Sequence, residues 1–218
     1  MNQIKGPGAA KREPGAAKRD GRKENAAVTQ AALRVAGRRL FGSLGYEATP
    51  LGALCAEAGV TTGALYHHFG DKKGLFAAVA EELDMGLVAL VGQAGARALG
   101  QGRDHWSAFL AGVDTLLAAG VDAGGRRIGL VDAPAVLGAD GWLAIRERHG
   151  LGAMVATVRA LQAGGLMRAG EPVRLARTVL GMLYGAIEAL PEDPAKVAQA
   201  LDETRQTVHT MLAGLRAR

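Results

Sequence analysis

Two adjacent histidines, a tyrosine, two threonines and two lysines fall within eighteen residues, GVTTGALYHHFGDKKGLF, Gly59 to Phe76. These side chains could bind a metal, catalyse proton transfer or read a surface. Metal binding fits poorly. Neighbouring residues on a helix point about 100° apart, so His67 and His68 chelate one ion badly. No nearby pair of carboxylates completes a site, and Cys55, the single cysteine, excludes both a cysteine cage and an internal disulfide. Catalysis fits no better, because no glycine-rich phosphate loop follows a strand and no Ser/His/Asp pattern stands out. No enzymatic activity, cofactor or metal is expected.

Recognition of a surface remains. On a helical wheel, residues 62–69 split into two halves. Ala64, Leu65, His68 and Phe69 form one, and Thr62, Gly63, Tyr66 and His67 form the other. The first half is suited to packing, with His68 at its edge. The second is small, hydroxylic and aromatic and carries no aliphatic side chain, so it should face outward. Gly59-Val60-Thr61 is a turn of the length that joins the two helices of a helix-turn-helix, whose second helix enters a major groove.

The flanking elements position that helix. Leu33, Ala36, Leu40, Phe41 and Leu44 form one stripe of a first helix expected from Asn25 to Leu44, and Gly45 stops it. Thr49 and Pro50 read as a cap and a first-turn proline. The second helix turns Leu51, Leu54, Cys55 and Ala58 inward, which makes Cys55 a structural residue and not a thiol sensor. Thr61 caps the third helix and Gly70 ends it. Asp71 caps a fourth, with Leu75, Phe76, Val79, Leu83, Leu87 and Leu90 on one face.

The 218 residues carry a net charge of +5. Most of that excess is N-terminal: residues 1–24 hold seven basic and three acidic side chains, a net +4. Residues 7–20 repeat as PGAAKRE and PGAAKRD, without a large apolar side chain. Residues 1–22 therefore read as a disordered basic arm suited to a polyanion or to solubility. No apolar signal core opens the chain and no uninterrupted apolar run approaches membrane-spanning length, so a cytoplasmic protein with no membrane partner is expected.

Residues 28–76 closely resemble the DNA-binding segment of the TetR family of bacterial transcription regulators. The matching stretches are FGSLGYEAT at 41–49 and AEAGVTTGALYHHFGDKKGLF at 56–76. DAPAVLGADGWLAIRERHGLG, residues 132–152, is similar to the ligand-domain segment of one branch of that family. The resemblance implies an all-α homodimer that binds a palindromic double-stranded DNA operator and is released by a small molecule. It implies a three-helix helix-turn-helix domain over residues 23–71, after the arm, and a helical ligand-binding and dimerisation domain over 72–218. By position it implies phosphate contacts at Thr49 and Lys72 and groove-facing roles for Thr61, Thr62, Gly63, Tyr66 and His67. Gly52, Ala53 and Thr62 stand where the family often has longer polar residues, so base readout should be sparse and phosphate contacts important. Repression is expected from family habit; activation, or regulation without an effector, is the alternative.

The C-terminal part is helical by pattern. Asp104 opens one helix, a short element covers Ile128–Val131, DAPAVLG is a break, and a long helix is expected from Asp140 to Ala163. Val173, Ala176, Leu180, Leu183, Ile187 and Leu190, then Val197, Leu201, Thr204, Val208, Met211 and Leu215, form two heptad-like seams. Such seams close across a dimer axis or within one chain; a homodimer through residues 173–215 is expected. Trp106, Phe109, Leu116, Trp142, Ile145, His149, Met182 and Tyr184, with Met154, are the candidate ligand-binding residues. His149 and Tyr184 also read as satisfied core residues. Their few polar groups point to a mainly apolar ligand.

Overall fold

The computed structural model describes residues 14–191 and 193–217. Ten α-helices and one π-helical turn make up the regular structure of these residues, with a single isolated β-bridge between Met167 and Arg216. The fold is all-α, as the periodicity requires.

Helix α1 spans Pro14–Leu44, eleven residues longer at its start than the pattern indicated. Proline is favoured in a first helical turn, and Ala16, Ala17, Lys18, Arg19, Arg22 and Lys23 are residue types of high helix propensity. The expected disordered arm thus divides: residues 1–13 lie outside the described residues, and residues 14–22 begin α1. Leu33, Ala36, Leu40 and Phe41 are buried on its inner stripe, but Leu44, at the helix end, is half exposed. Gly45, at φ 86°, ends α1 with its N–H on the Phe41 carbonyl at 2.9 Å.

Helix α2 (Leu51–Ala58) buries Leu54 and Cys55 and ends at Gly59, φ 65°. Helix α3 (Thr62–Phe69) is capped by Thr61, whose Oγ1 accepts the Ala64 N–H at 3.2 Å. Helix α4 (Lys72–Gly100) is capped by Asp71 through the Gly74 N–H at 2.6 Å. Its length ties the two cores together. Leu75, Phe76 and Val79 pack with Leu33, Phe41, Leu54 and Leu65, whereas Leu87 and Val91 pack on the second core. Leu83 and Leu87 are partly buried, whereas Leu90 is half exposed and Val91 takes the packed position beside it.

Helices α5 (His105–Ala119) and α6 (Ala123–Arg126) follow, then the π-helical turn Arg127–Asp132. Helix α7 spans Ala133–Arg148, α8 Gly150–Ala163, α9 Pro172–Glu188 and α10 Pro194–Ala213. Within the expected break at DAPAVLG the chain is helical from Ala133, with Pro134 in the first turn, and the kink falls on the last residue of that stretch, Gly138, φ 76°. The expected helix over 140–163 is two helices. His149 leaves helical geometry because the following turn is pulled onto α4: the Gly150 N–H reaches Asp84 Oδ2 at 3.0 Å. A Cβ at position 150 would lie 3.1 Å from Asp84 Oδ1, so only glycine permits that approach without the carboxylate giving way. The stretch Ala123–Arg148 is apolar and long enough, by composition, to cross a membrane, with a mean hydropathy of 1.4. The π-turn and the Gly138 kink interrupt it, and Ile128, Trp142 and Ile145 enter the core.

The α9 seam closes within the chain. Ala176, Leu180, Leu183, Ile187 and Leu190 are buried in a single protomer, as is Val208 on α10. All but Leu190 share one buried cluster with Leu117 on α5 and Val158 on α8. A heptad spacing marks which face is buried and is silent on what buries it.

Candidate nucleic-acid interface and ligand cavity

Leu65 is fully buried and anchors α3 on the head. Phe69 lies under the Arg34 guanidinium, 5.7 Å from its ring centre, and His68 meets Gln30 Nε2 at 3.4 Å through its Nδ1. These contacts fix the rotation of α3 about its axis. Thr61, Thr62, Gly63, Tyr66 and His67 are consequently all exposed. At Gly63, Thr61 Oγ1 alone comes within 4 Å of an added Cβ, at 3.9 Å, so the backbone there is bare. A helix with a bare glycine, hydroxyls, a phenol and an imidazole on its free face can enter a groove and donate to phosphates or base edges.

Two residues expected on phosphate sit differently. Thr49 is completely buried: its hydroxyl donates to the Gly45 carbonyl at 2.6 Å and lies 3.3 Å from that of Leu40. It locks the α1–α2 turn, and Pro50, not Thr49, occupies the cap position of α2. Its side chain is therefore withdrawn from the DNA set. Lys72 is half-buried, its Nζ 4.3 Å from the Tyr46 ring centre and 3.4 Å from the Glu47 carbonyl. The aromatic ring positions the ammonium at the start of α4.

Head and body are joined by polar contacts. Arg38 pairs with Asp122, Arg127 Nη1 donates to the Ser43 carbonyl at 2.7 Å, and the Tyr46 N–H donates to Asp132 Oδ2 at 2.8 Å. Gly42 and Gly124 touch backbone to backbone, since a Cβ at Gly42 would lie 3.2 Å from Gly124 Cα. Arg127 and Asp132 bound the π-helical turn, and Gly129 and Leu130 within it line a cavity of about 850 Å³. Arg34 and Arg38 of α1 line the same cavity, as do Leu87, Leu116, Trp142, Arg146, Tyr184 and Ile187. A second cavity of about 480 Å³ lies under Phe109, Met154 and Leu180 and shares Asp84, Leu87, Leu116 and Tyr184 with the first.

Of the eight candidate ligand residues, Leu116, Trp142 and Tyr184 line the larger cavity, and Phe109, Leu116 and Tyr184 the smaller one, as does Met154. The other four line neither. Trp106 packs on Phe109 and under Arg216, Ile145 is buried against the head core, and Met182 packs on the outer side of the second core. His149 Nε2 bonds Glu81 Oε1 at 2.9 Å, beside Arg148 Nη2 at 2.8 Å on the same oxygen. Those two partners hold the Glu81 carboxyl below its usual range. Sequence periodicity missed Asp84, Arg146 and the α1 arginines, because it ranks apolar positions and passes over charged residues that a fold turns inward.

Asp84 is buried, and burial pushes its carboxyl up against the opposing pull of the Gly150 N–H. Burial likewise raises the Tyr184 phenol. A carboxyl raised on folding stabilises most when protonated, and that contribution is lost as pH rises through its folded pKa. Asp84→Asn, which keeps an acceptor for Gly150, should therefore melt higher than the parent at pH 8, on the order of 2–4 °C for roughly 1 kcal/mol. The advantage should vanish near pH 4; equal melting curves at both pH values would show that the charge costs nothing.

Comparison with known proteins agrees with this geometry. Residues 33–79 match a family model described as bacterial regulatory proteins, tetR family, and residues 106–215 one described as tetracyclin repressor-like, C-terminal domain. A crystal structure of a TetR-family transcriptional regulator from Pectobacterium atrosepticum is 31% identical, with a TM-score of 0.72 over 89% of this chain and 97% of that one. The repressor AcnR of Corynebacterium glutamicum is 47% identical over 45 residues, 21% of this chain and 24% of AcnR. The regulator AcrR of Shigella flexneri is 41% identical over 59 residues, 27% of each. The chain thus aligns with about a quarter of the length of these two regulators, in each case over a short stretch.

Proposed function

Because the chain belongs to the TetR family of bacterial transcription regulators, we propose that it is a cytoplasmic repressor that binds a palindromic operator as a homodimer and leaves it when a small, mainly apolar effector enters the body. The observation that carries this reading is α3: a helix with Leu65 buried and Thr62, Gly63, Tyr66 and His67 all free. Two such helices, one turn of DNA apart at about 34 Å, read two half-sites. In this reading residues 23–71 form the DNA-binding head and residues 72–218 the ligand-binding and dimerisation part. Thr61, Thr62, Gly63, Tyr66, His67 and Lys72 touch DNA.

The dimer forms through the outward faces of α9 and α10, within residues 173–215; the α9 seam is buried in its own chain, whereas Met211 of the α10 seam lies outside. Thr178, Gly181 and Gly185 are exposed along one side of α9, and a Cβ at either glycine would meet nothing within 4 Å. Met211 on α10, a large apolar side chain, is 57% exposed. Small residues on a helix face let a second helix approach closely, and together the four helices make a bundle.

Release follows from the walls of the large cavity. Arg34 and Arg38 belong to α1 and line it together with body residues, so an occupant that moves either wall moves the head. Selecting bound fragments from random DNA, then screening small molecules for release, tests the whole reading; failure to enrich any palindrome would sink it.

The basic N-terminus adds charge to this interface. Deleting residues 1–22 removes a net +4 and should flatten the log–log salt dependence of DNA binding by roughly 2–4 units, without changing the preferred sequence. An unchanged slope would mean the segment does not touch DNA.

A further inference from the structure

Among the described residues, four buried side-chain nitrogens lack a hydrogen-bond partner, and three of them belong to residues lining the 850 Å³ cavity: Arg34 Nε, Arg38 Nη1 and Trp142 Nε1. All three are donors, and an unpaired buried donor is costly. The two ends of the cavity differ in charge. On the α1 side Arg34 and Arg38 each face a carboxylate: Arg34 Nε lies 3.6 Å from Glu82 Oε2, beyond hydrogen-bond reach, and Arg38 pairs with Asp122. On the α7 side Arg146 forms no ion pair among the described residues. Its guanidinium lies 3.7 Å from the Tyr184 ring centre and 5.8 Å from that of Trp142. Asp84 is the acid on that side and feels the Arg146 charge, but its hydrogen bond goes to the Gly150 N–H at the start of α8.

We propose that the cavity binds an amphiphilic carboxylate, its anionic head held by Arg146 and its apolar body lying along Leu87, Leu116, Leu130 and Ile187. A cationic ligand is disfavoured, because Arg146 already covers the aromatic faces that would receive it. A neutral ligand would make no charge-assisted bond with Arg146. The volume suits a medium-chain or compact aromatic acid. This proposal rests on reading the cavity as the effector site and adds the chemistry of its occupant.

The test uses the full-length dimer, a selected operator fragment and three probes of equal chain length: decanoate, decanol and decylamine. Calorimetry should show decanoate binding at least about tenfold tighter than the other two, as a charge-assisted pair adds to shared apolar burial, and decanoate should release the operator. Arg146→Gln should bring decanoate down to the level of decanol while leaving decanol affinity and ligand-free operator binding unchanged. A parallel fall for both probes in Arg146→Gln would mean that the arginine only shapes the wall, and the proposal would be wrong. Decanol or decylamine binding as tightly as decanoate, or no saturable binding of decanoate, also overturns it. Each of these results leaves operator binding intact, whereas absence of operator binding without any probe overturns the proposed function and leaves the calorimetry readable.

Discussion

Leu183→Asp should leave no folded protein to assay, whereas Gly185→Asp should leave a folded monomer that has lost its operator. The two positions are half a helical turn apart on α9, and their surroundings differ completely. Leu183 has no exposed surface in the protomer and packs in the cluster of Leu117, Val158 and Ile187. Truncating such a leucine costs about 2–5 kcal/mol, and an unpaired buried carboxylate adds several more. That sum rivals the whole stability of about 5–15 kcal/mol expected of a domain. Gly185 is exposed and its added Cβ meets open space, so the aspartate costs the protomer nothing in packing. Across a two-fold axis it places two carboxylates together. One helix-turn-helix makes half the phosphate and base contacts, so operator affinity should fall at least about a hundredfold. Circular dichroism, sedimentation velocity and operator binding on both variants separate the outcomes. A Gly185→Asp protein that sediments as a dimer would move the interface off this face of α9.

Tyr66→Ala and His67→Ala should each weaken operator binding roughly tenfold to a hundredfold, the effect of losing about 1–3 kcal/mol of contact. Tyr66 is 52% exposed and His67 is exposed beside it, on the side of α3 opposite Leu65. The phenol can donate to a phosphate and the ring can lie against sugar or a thymine methyl. The imidazole can donate to a phosphate or a purine N7. Neither supports the fold, so melting temperatures should stay within a degree or two of the parent. His68→Ala should behave oppositely. It breaks the 3.4 Å contact with Gln30 that holds α3 on α1, so the melting temperature should drop while affinity changes little. Thermal melts and operator titrations on the three single variants decide it. If His68→Ala is the binding variant and His67→Ala is silent, α3 is rotated on the DNA relative to this assignment.

The head was legible from the chain because its determinants are local. Gly45, Gly59 and Gly70 all take positive φ where a helix must stop, and Thr61 and Asp71 cap the helices they precede. The 3.6-residue period of a short helix separates Leu65 from Tyr66 and His67 without any knowledge of its neighbours. Thr49 escaped this reading. A threonine before a proline reads as a cap, yet its hydroxyl is spent on carbonyls of the preceding turn, which depends on how α1 and α2 cross.

The body needed three dimensions. A periodic stripe shows that α9 has a buried face, but the atoms that bury it come from α5 and α8, tens of residues away. An uninterrupted helix through 140–163 follows from the apolar pattern alone, and the chain breaks at His149, where Asp84 and Glu81 on α4 bind the turn. The cavity is the extreme case. Arg34, Leu87, Leu116, Trp142 and Tyr184 share its wall from five different helices, and no interval between them in the chain carries that information. Chain stops, caps and faces are set by interactions within a few residues, whereas cavities, ion pairs between helices and the choice of partner for an apolar face arise only when distant segments pack.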